Sequence, residues 1–176
     1  MITIDQLRKI IPYAGPRAGV FLGPLNDAMS EFGIDSPARQ AAFLAQIAHE
    51  SGSLRYVCEI ASGVAYEGRA DLGNTEPGDG VRFRGRGLIQ ITGRANYRAC
   101  SVAMYGNEDY LLLNPELLED VLPACRSAAW FWQSRGLNAL ADSGAFRAIT
   151  RVINGGFNGY ADRLANFQRA QEVLSC

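Results

Sequence analysis

Between residues 53 and 92 the chain abandons helical periodicity, and this break limits what the rest can become. Glycine is frequent there, the turn pairs Pro77-Gly78 and Asp79-Gly80 occur, and no apolar repeat persists. Both flanks read as helical. Ile4 to Ile11 predicts a first helix, closed by Pro12 and Gly15. Arg17 to Phe32 carries Val20, Leu25, Ala28, Met29 and Phe32 at helical spacing and stops at Gly33. Ser36 is a good N-cap, and Pro37 sits at the first helical position, where its missing N–H is harmless. Ala41, Leu44, Ile47 and Ala48 then line one face until Gly52 ends the helix near Ser51. After the break, Asn114-Pro115 opens one helix and Pro123 another through Trp130, Phe131 and Trp132. Ser143 is expected to cap a third through Ile153, and Gly159 to Leu174 forms the last. The expected architecture is mainly α, α+β at most. One domain over 1–176 has a helical body and a loop-rich small lobe at about 53–92, with at most a short hairpin, flanking a cleft.

Composition removes several functions. At 48% hydrophobic and 20% charged residues, the 176-residue chain can bury a sizeable core without disulfides. Lys9 is the only lysine among 17 cations; the others are arginines, whose planar fork suits carboxylates, phosphates and sugar hydroxyls. A formal charge of −1 does not fit a dedicated nucleic-acid binder. No stretch approaches the roughly 20 apolar residues of a membrane span, so no stable membrane insertion is expected. The N-terminus shows no leader pattern. The chain is therefore expected to be made in the cytoplasm, and to reach any external target only after release by another factor. Cys58, Cys100, Cys125 and Cys176 form no CxxC pair and read as buried or idle thiols, although four cysteines permit three disulfide pairings. With His49 the sole histidine, no metal site and no cofactor are expected.

Glu50 is the most informative acid. It follows Ile47 by three and Leu44 by six, close to the apolar stripe, and lies in the last turn, where the helix dipole is negative. Both surroundings favour a neutral carboxylic acid, the species that protonates a leaving glycosidic oxygen. His49 beside it suggests a zinc-protease helix, but that motif needs a second histidine at position 53, which is Ser. His49 reads mainly as structural, at the border of a substrate site. A glycosidase requires a second carboxylate, and Glu59, Glu67, Asp71, Glu76 and Asp79 are candidates. Glu59 can return across the cleft after the Gly52-Ser53 turn.

The run from Arg82 to Arg94 alternates Arg and Gly before Leu88, Ile89 and Ile91, which look buried. Nucleic-acid-binding Arg-Gly segments are longer and usually disordered, so no nucleic-acid partner is expected. If the segment is extended, Gln90 and Thr92 point together away from the apolar side and suit a water or a sugar. The Asn154-Gly-Gly-Phe-Asn-Gly turn can serve as helix caps, and its amides can also bind sugar.

Together, HESG at 49–52, GDGVRFRGRGLIQITGRANY at 78–97, WFWQSRGLNALAD at 130–142 and INGGFNGYADR at 153–163 resemble glycoside hydrolase family 19. They are closer to its phage endolysin and pyocin-associated lysozyme branch than to plant chitinases. The resemblance runs from about Phe21 to the C-terminus. It implies a lysozyme-like, mainly helical fold and an inverting mechanism, with Glu50 as general acid and Glu59, nine residues on, as general base. It also implies that Thr92 helps hold the attacking water. Gln90, Asn96, Asn154 and Arg163 are then substrate or network residues, and His49 and Glu67 are counted with the substrate-binding set. Glu67 is the reserve base. The expected partner is the glycan strand of peptidoglycan, cut by a monomeric enzyme whose release depends on a holin. Plant chitinases carry a Glu four residues after the NGG asparagine, where this chain has Asn158. The alternatives are a chitinase and a cell-wall-binding protein that has lost hydrolysis.

Overall fold

The computed structural model describes residues 1–175. Among them the α-helices are α1 (Ile4–Ile10), α2 (Arg17–Glu31), α3 (Pro37–Glu50), α4 (Asp79–Arg82), α5 (Arg94–Tyr105), α6 (Tyr110–Leu113), α7 (Val121–Ser134), α8 (Leu137–Asp142), α9 (Phe146–Asn154) and α10 (Tyr160–Leu174). The fold is mainly α.

The centre is α3. The Arg39 amide donates to Ser36 Oγ at 3.3 Å, and Pro37 opens the helix as its sequence requires. Its burial exceeds the amphipathic expectation: every residue from Gln40 to Ala48 is buried, because α10 covers one flank and α8 another. A helix enclosed this way needs small or apolar side chains all round, and five alanines supply them. Phe43 meets the fully buried Trp132 of α7 edge-to-face, with ring centroids 5.5 Å apart. Trp132 satisfies its indole N–H by donating to Asn138 Oδ1 at 2.8 Å.

Four local expectations are corrected. Asn114-Pro115 opens a 3-10 turn, Pro115–Glu119, and not an α-helix. Ser143 does not cap α9, which begins at Phe146. Gly144, in the left-handed region at φ 70°, closes α8 instead, with Ala145 N donating to Leu140 O at 2.8 Å. The Ser143 hydroxyl is turned back to the same carbonyl at 3.0 Å. The small lobe contains no hairpin among the described residues, only isolated antiparallel bridges joining Arg86 to Cys58 and to Ile91. Gln90 and Thr92 do not lie on an extended strand: Gln90 takes a left-handed backbone at φ 61° and makes the chain turn between Gly87 and Ile91. Cys58, Cys100 and Cys125 are free thiols. Burial pushes the Cys100 thiol up to about 12. Cys176 lies outside the described residues.

Candidate active site

Glu50 is the last residue of α3 and rests on a buried polar chain. Arg163 of α10, only 2% exposed, donates from Nη2 to Glu50 Oε1 at 2.6 Å and from Nη1 to Gln46 Oε1 at 2.6 Å. Gln46 in turn donates to Thr150 Oγ1 of α9 at 2.9 Å, and the Thr150 hydroxyl donates to Phe146 O. The carboxylate is thus tied to three helices through neutral relays and one cation. Beyond the burial and helix dipole legible in the sequence, this guanidinium is a further neighbour of the Glu50 carboxylate.

Directly after Glu50 the backbone enters the left-handed region three times in succession, at Gly52 (φ 55°), Ser53 (φ 64°) and Leu54 (φ 63°). Two of these residues bear side chains and pay a steric penalty there. Ser51 Oγ accepts the Leu54 N–H at 2.8 Å, Ser53 N reaches Ala48 O at 2.7 Å, and the Leu54 side chain is buried, which together hold the turn. Its effect is to swing the chain back so that Glu59 faces the end of α3.

Glu59 is held by the small lobe. Its amide donates to Gly85 O at 2.8 Å, Gly85 N donates back to Oε2 at 3.1 Å, and the Tyr66 hydroxyl donates to Oε1 at 3.0 Å. Burial and the hydrogen bond to Glu59 both push the Tyr66 phenol above its ordinary range, so it stays a neutral donor. A Cβ on Gly85 would lie 2.8 Å from Gln90 Oε1 and 3.2 Å from Glu59 Oε2, so a side chain there would push both groups out of place. Glu50, Glu59 and Gln90 line one cleft of about 270 Å³, with Tyr56, Cys58, Ile60 and Ala61.

No protein-family model matches the chain. A "Glycosyl hydrolase family 19 domain-containing protein" of Haemophilus influenzae is 30% identical over a 195-residue alignment covering 93% of this chain and 92% of the relative. The chain belongs to glycoside hydrolase family 19. Its resemblance extends to "Endochitinase CHI" of Arabidopsis thaliana, 32% identical over 87% of this chain, though the match spans 58% of that relative's length. Among solved structures, chitinase C from Streptomyces griseus superposes with a TM-score of 0.79 at 25% identity, over 99% of this chain and 92% of the other.

Within this glycoside hydrolase, the remaining sequence candidates separate by position. Thr92 and Asn96 do not line the cleft. Thr92 Oγ1 donates to Gln90 O at 2.9 Å and Asn96 Nδ2 to Thr92 O at 2.7 Å, so the pair braces the turn that presents Gln90. The Gln90 amide is itself anchored, donating to Gly87 O at 2.9 Å. Asn154 ends α9 with its Nδ2 buried and without a hydrogen-bond partner among the described residues. His49 lies beside the cleft: its Nδ1 pairs with Asp162 Oδ2 at 2.6 Å, and its ring packs on the bare backbone of Gly159.

Three of the other candidate acids are committed elsewhere. Glu67, the reserve base, accepts from backbone amides instead: Gly78 N donates to Oε1 at 2.7 Å and Gly80 N to Oε2 at 2.8 Å. Asp79 is buried and takes a two-pronged contact from Arg94 at 2.7 and 2.6 Å, which holds its carboxyl below the usual range. Asp71 is clasped by Arg69. The arginines of the Arg-Gly run turn inward. Arg82 donates to Leu112 O, while Arg86 is buried against Glu119, Arg82 O and the Tyr97 hydroxyl.

Sequence reasoning missed Gln46, Thr150, Tyr56 and Tyr66. Gln46 had one signal, since it precedes Glu50 by four and shares its face. Tyr66 had none, because the Gly85 turn that places Glu59 beside it is a tertiary contact.

Proposed function

We propose that the chain is a lysozyme-type member of the family that cleaves the β-1,4 glycosidic bonds of peptidoglycan by inversion. The observation that carries this reading is the placement of Glu50 and Glu59 on one cleft, each fixed by a different body of the protein. Glu50 gives its proton to the oxygen of the scissile bond as that bond breaks. A water attacks the anomeric carbon from the opposite face, and its proton passes to Glu59. Arg163 keeps its place when Glu50 is protonated, because Nη1 remains on Gln46. Thr92 and Asn96 act through the Gln90 turn, which faces the water.

Peptidoglycan is favoured over chitin by the motif resemblance: the base follows the acid by nine residues, and Asn158 stands where the plant enzymes carry Glu. The names of the plant and Streptomyces relatives support chitin as the second reading. On the first reading the enzyme meets its substrate in the cell wall after release from the cytoplasm.

Mass spectrometry of digested wall tests both. Muramic acid at new reducing ends, formed first as the α anomer, is the expected result. Cleavage of chitin oligosaccharides with no release from wall would overturn the lysozyme reading, and a β anomer appearing first would overturn inversion. Glu50→Gln should remove activity on every substrate while folding is retained.

A further inference from the structure

Tyr56 is a wall between two hollows. One face lines the catalytic cleft; the other lines a neighbouring hollow of about 350 Å³ between the Gly52 turn, the Tyr13 turn and α10. The wall's position is built into the backbone, since a Cβ on Gly52 would lie 2.9 Å from the Tyr56 ring.

The second hollow is electropositive in a protein of formal charge −1. Arg55 projects into it, exposed, and among the described residues its guanidinium has no hydrogen-bond or ion-pair partner. Arg169 is half-buried and anchored through Nη1 alone, to Ile10 O at 3.2 Å and Asn166 Oδ1 at 2.9 Å, which leaves its other N–H groups free to serve a ligand. The single carboxylate in the lining, Asp162, is already satisfied by His49 at 2.6 Å and Asn166 Nδ2 at 3.2 Å. Tyr13, 77% exposed, adds an apolar surface at the rim.

Two forked cations beside two aromatic faces suit a carboxylate on a short aliphatic chain. A plain N-acetylglucosamine polymer offers no carboxylate. The glycan of peptidoglycan does, on the peptide arm of every muramic acid. Resting on the peptidoglycan reading above, we propose that this hollow binds a free carboxylate of the peptide arm on the saccharide held in the adjacent cleft. Arg55 and Arg169 are its ligands and Tyr56 the divider between sugar and peptide.

The test compares intact wall with the same wall stripped of peptide arms by an amidase, following reducing ends released. Arg55→Ala and Arg55→Glu should raise KM on peptide-bearing strands about tenfold, the size expected for one charge-assisted contact at a partly exposed site. Neither should change kcat, nor activity on stripped strands, and Arg55→Lys should restore most of the loss. The amidase leaves the muramic lactyl carboxylate on stripped strands, so an equal loss on both substrates would assign the hollow to that carboxylate or to sugar and overturn the peptide-arm proposal, as would no loss on either. A wild-type enzyme that cuts neither form of wall but cuts chitin oligosaccharides would instead remove the reading beneath it.

Discussion

Arg163→Met is the most revealing perturbation. Arg163 is fully buried and its three donors satisfy Glu50, Gln46 and Asn158 O, so methionine fills the space while leaving three acceptors without these donors. Removing one partner of a buried pair typically costs 3–5 kcal/mol, roughly. The Glu50 side chain is 19% exposed, so water replaces part of the loss, and about 3 kcal/mol is a fair expectation. At this chain length each kcal/mol moves the melting temperature by about 2–4 °C, so the midpoint should fall by roughly 6–12 °C. Activity should fall further than stability, because an unanchored acid misplaced by about 1 Å loses on the order of 10² in rate. Arg163→Lys should recover some stability and little activity, since one ammonium cannot span Gln46 and Glu50 in the same geometry. A double-mutant cycle with Glu50→Gln, read by urea unfolding, should give a coupling of about 1 kcal/mol or more. A melt within a degree of wild type, or retention of more than a tenth of the activity, would overturn this anchoring role for Arg163.

Glu59→Gln should lose on the order of 10²–10⁴ in turnover with its melting temperature preserved. Glu67→Gln should lower stability by about 1–2 kcal/mol, because a side-chain amide cannot accept from both Gly78 and Gly80, while activity follows the folded fraction. Azide restoring turnover to Glu67→Ala but not to Glu59→Ala would reverse the two roles. Gly159→Ala places a Cβ 2.3 Å from His49 Cε1 at a backbone φ of 69°, and should push His49 off Asp162 with a destabilisation of at least about 1 kcal/mol in urea. Wild-type stability would show that His49 is not packed there in solution. The Arg94 contact depresses the Asp79 carboxyl, so its stabilisation is complete above the ordinary aspartate range, near pH 4 at roughly, and is lost as pH falls through the lower folded value. Acid unfolding of Asp79→Asn should therefore be flatter in that window than wild type, and an unchanged slope would contradict the pairing.

What the sequence revealed followed the range of the interactions involved. Ser36 and Pro37 start α3 by contacts within one turn, so the helix carrying Glu50 could be read directly. The loss of period after Gly52 likewise marked the small lobe. The inward turn of the arginines could not be read, because Arg86 finds Glu119 and Arg82 finds Leu112 O about thirty residues away. Ser143 misled for a local reason: it is a good cap by composition, but Gly144 beside it closes the previous helix and captures the chain first. Gln90 misled by alternation, since apolar neighbours at 89 and 91 also fit a tight turn whose flanks are buried. The Arg163 to Gln46 contact joins residues 117 apart, and nothing at either end announces it.

Among the described residues, the side-chain-bearing positions in left-handed backbone are Ser53, Leu54 and Gln90; Gln90 lines the cleft, and Ser53 and Leu54 form the turn that follows Glu50. Strain of this kind, of order 1 kcal/mol or more at each, persists only where packing enforces it. Here the enforcing frame is the fully enclosed α3 on one side and the Gly85–Gly87 backbone on the other. Glu50 is therefore held by α3, α9 and α10, whereas Glu59 is held by the lobe that carries Gly85 and Tyr66. An enzyme that inverts needs a gap between its carboxylates wide enough for one water and stable enough to aim it. On the inverting mechanism proposed above, anchoring the two acids to separate bodies lets the separation be set by how the lobe seats on the helices, and the strained turn at 52–54 joins the two. A substitution that relaxes it, such as Leu54→Gly, should leave both carboxylates intact and still lower kcat.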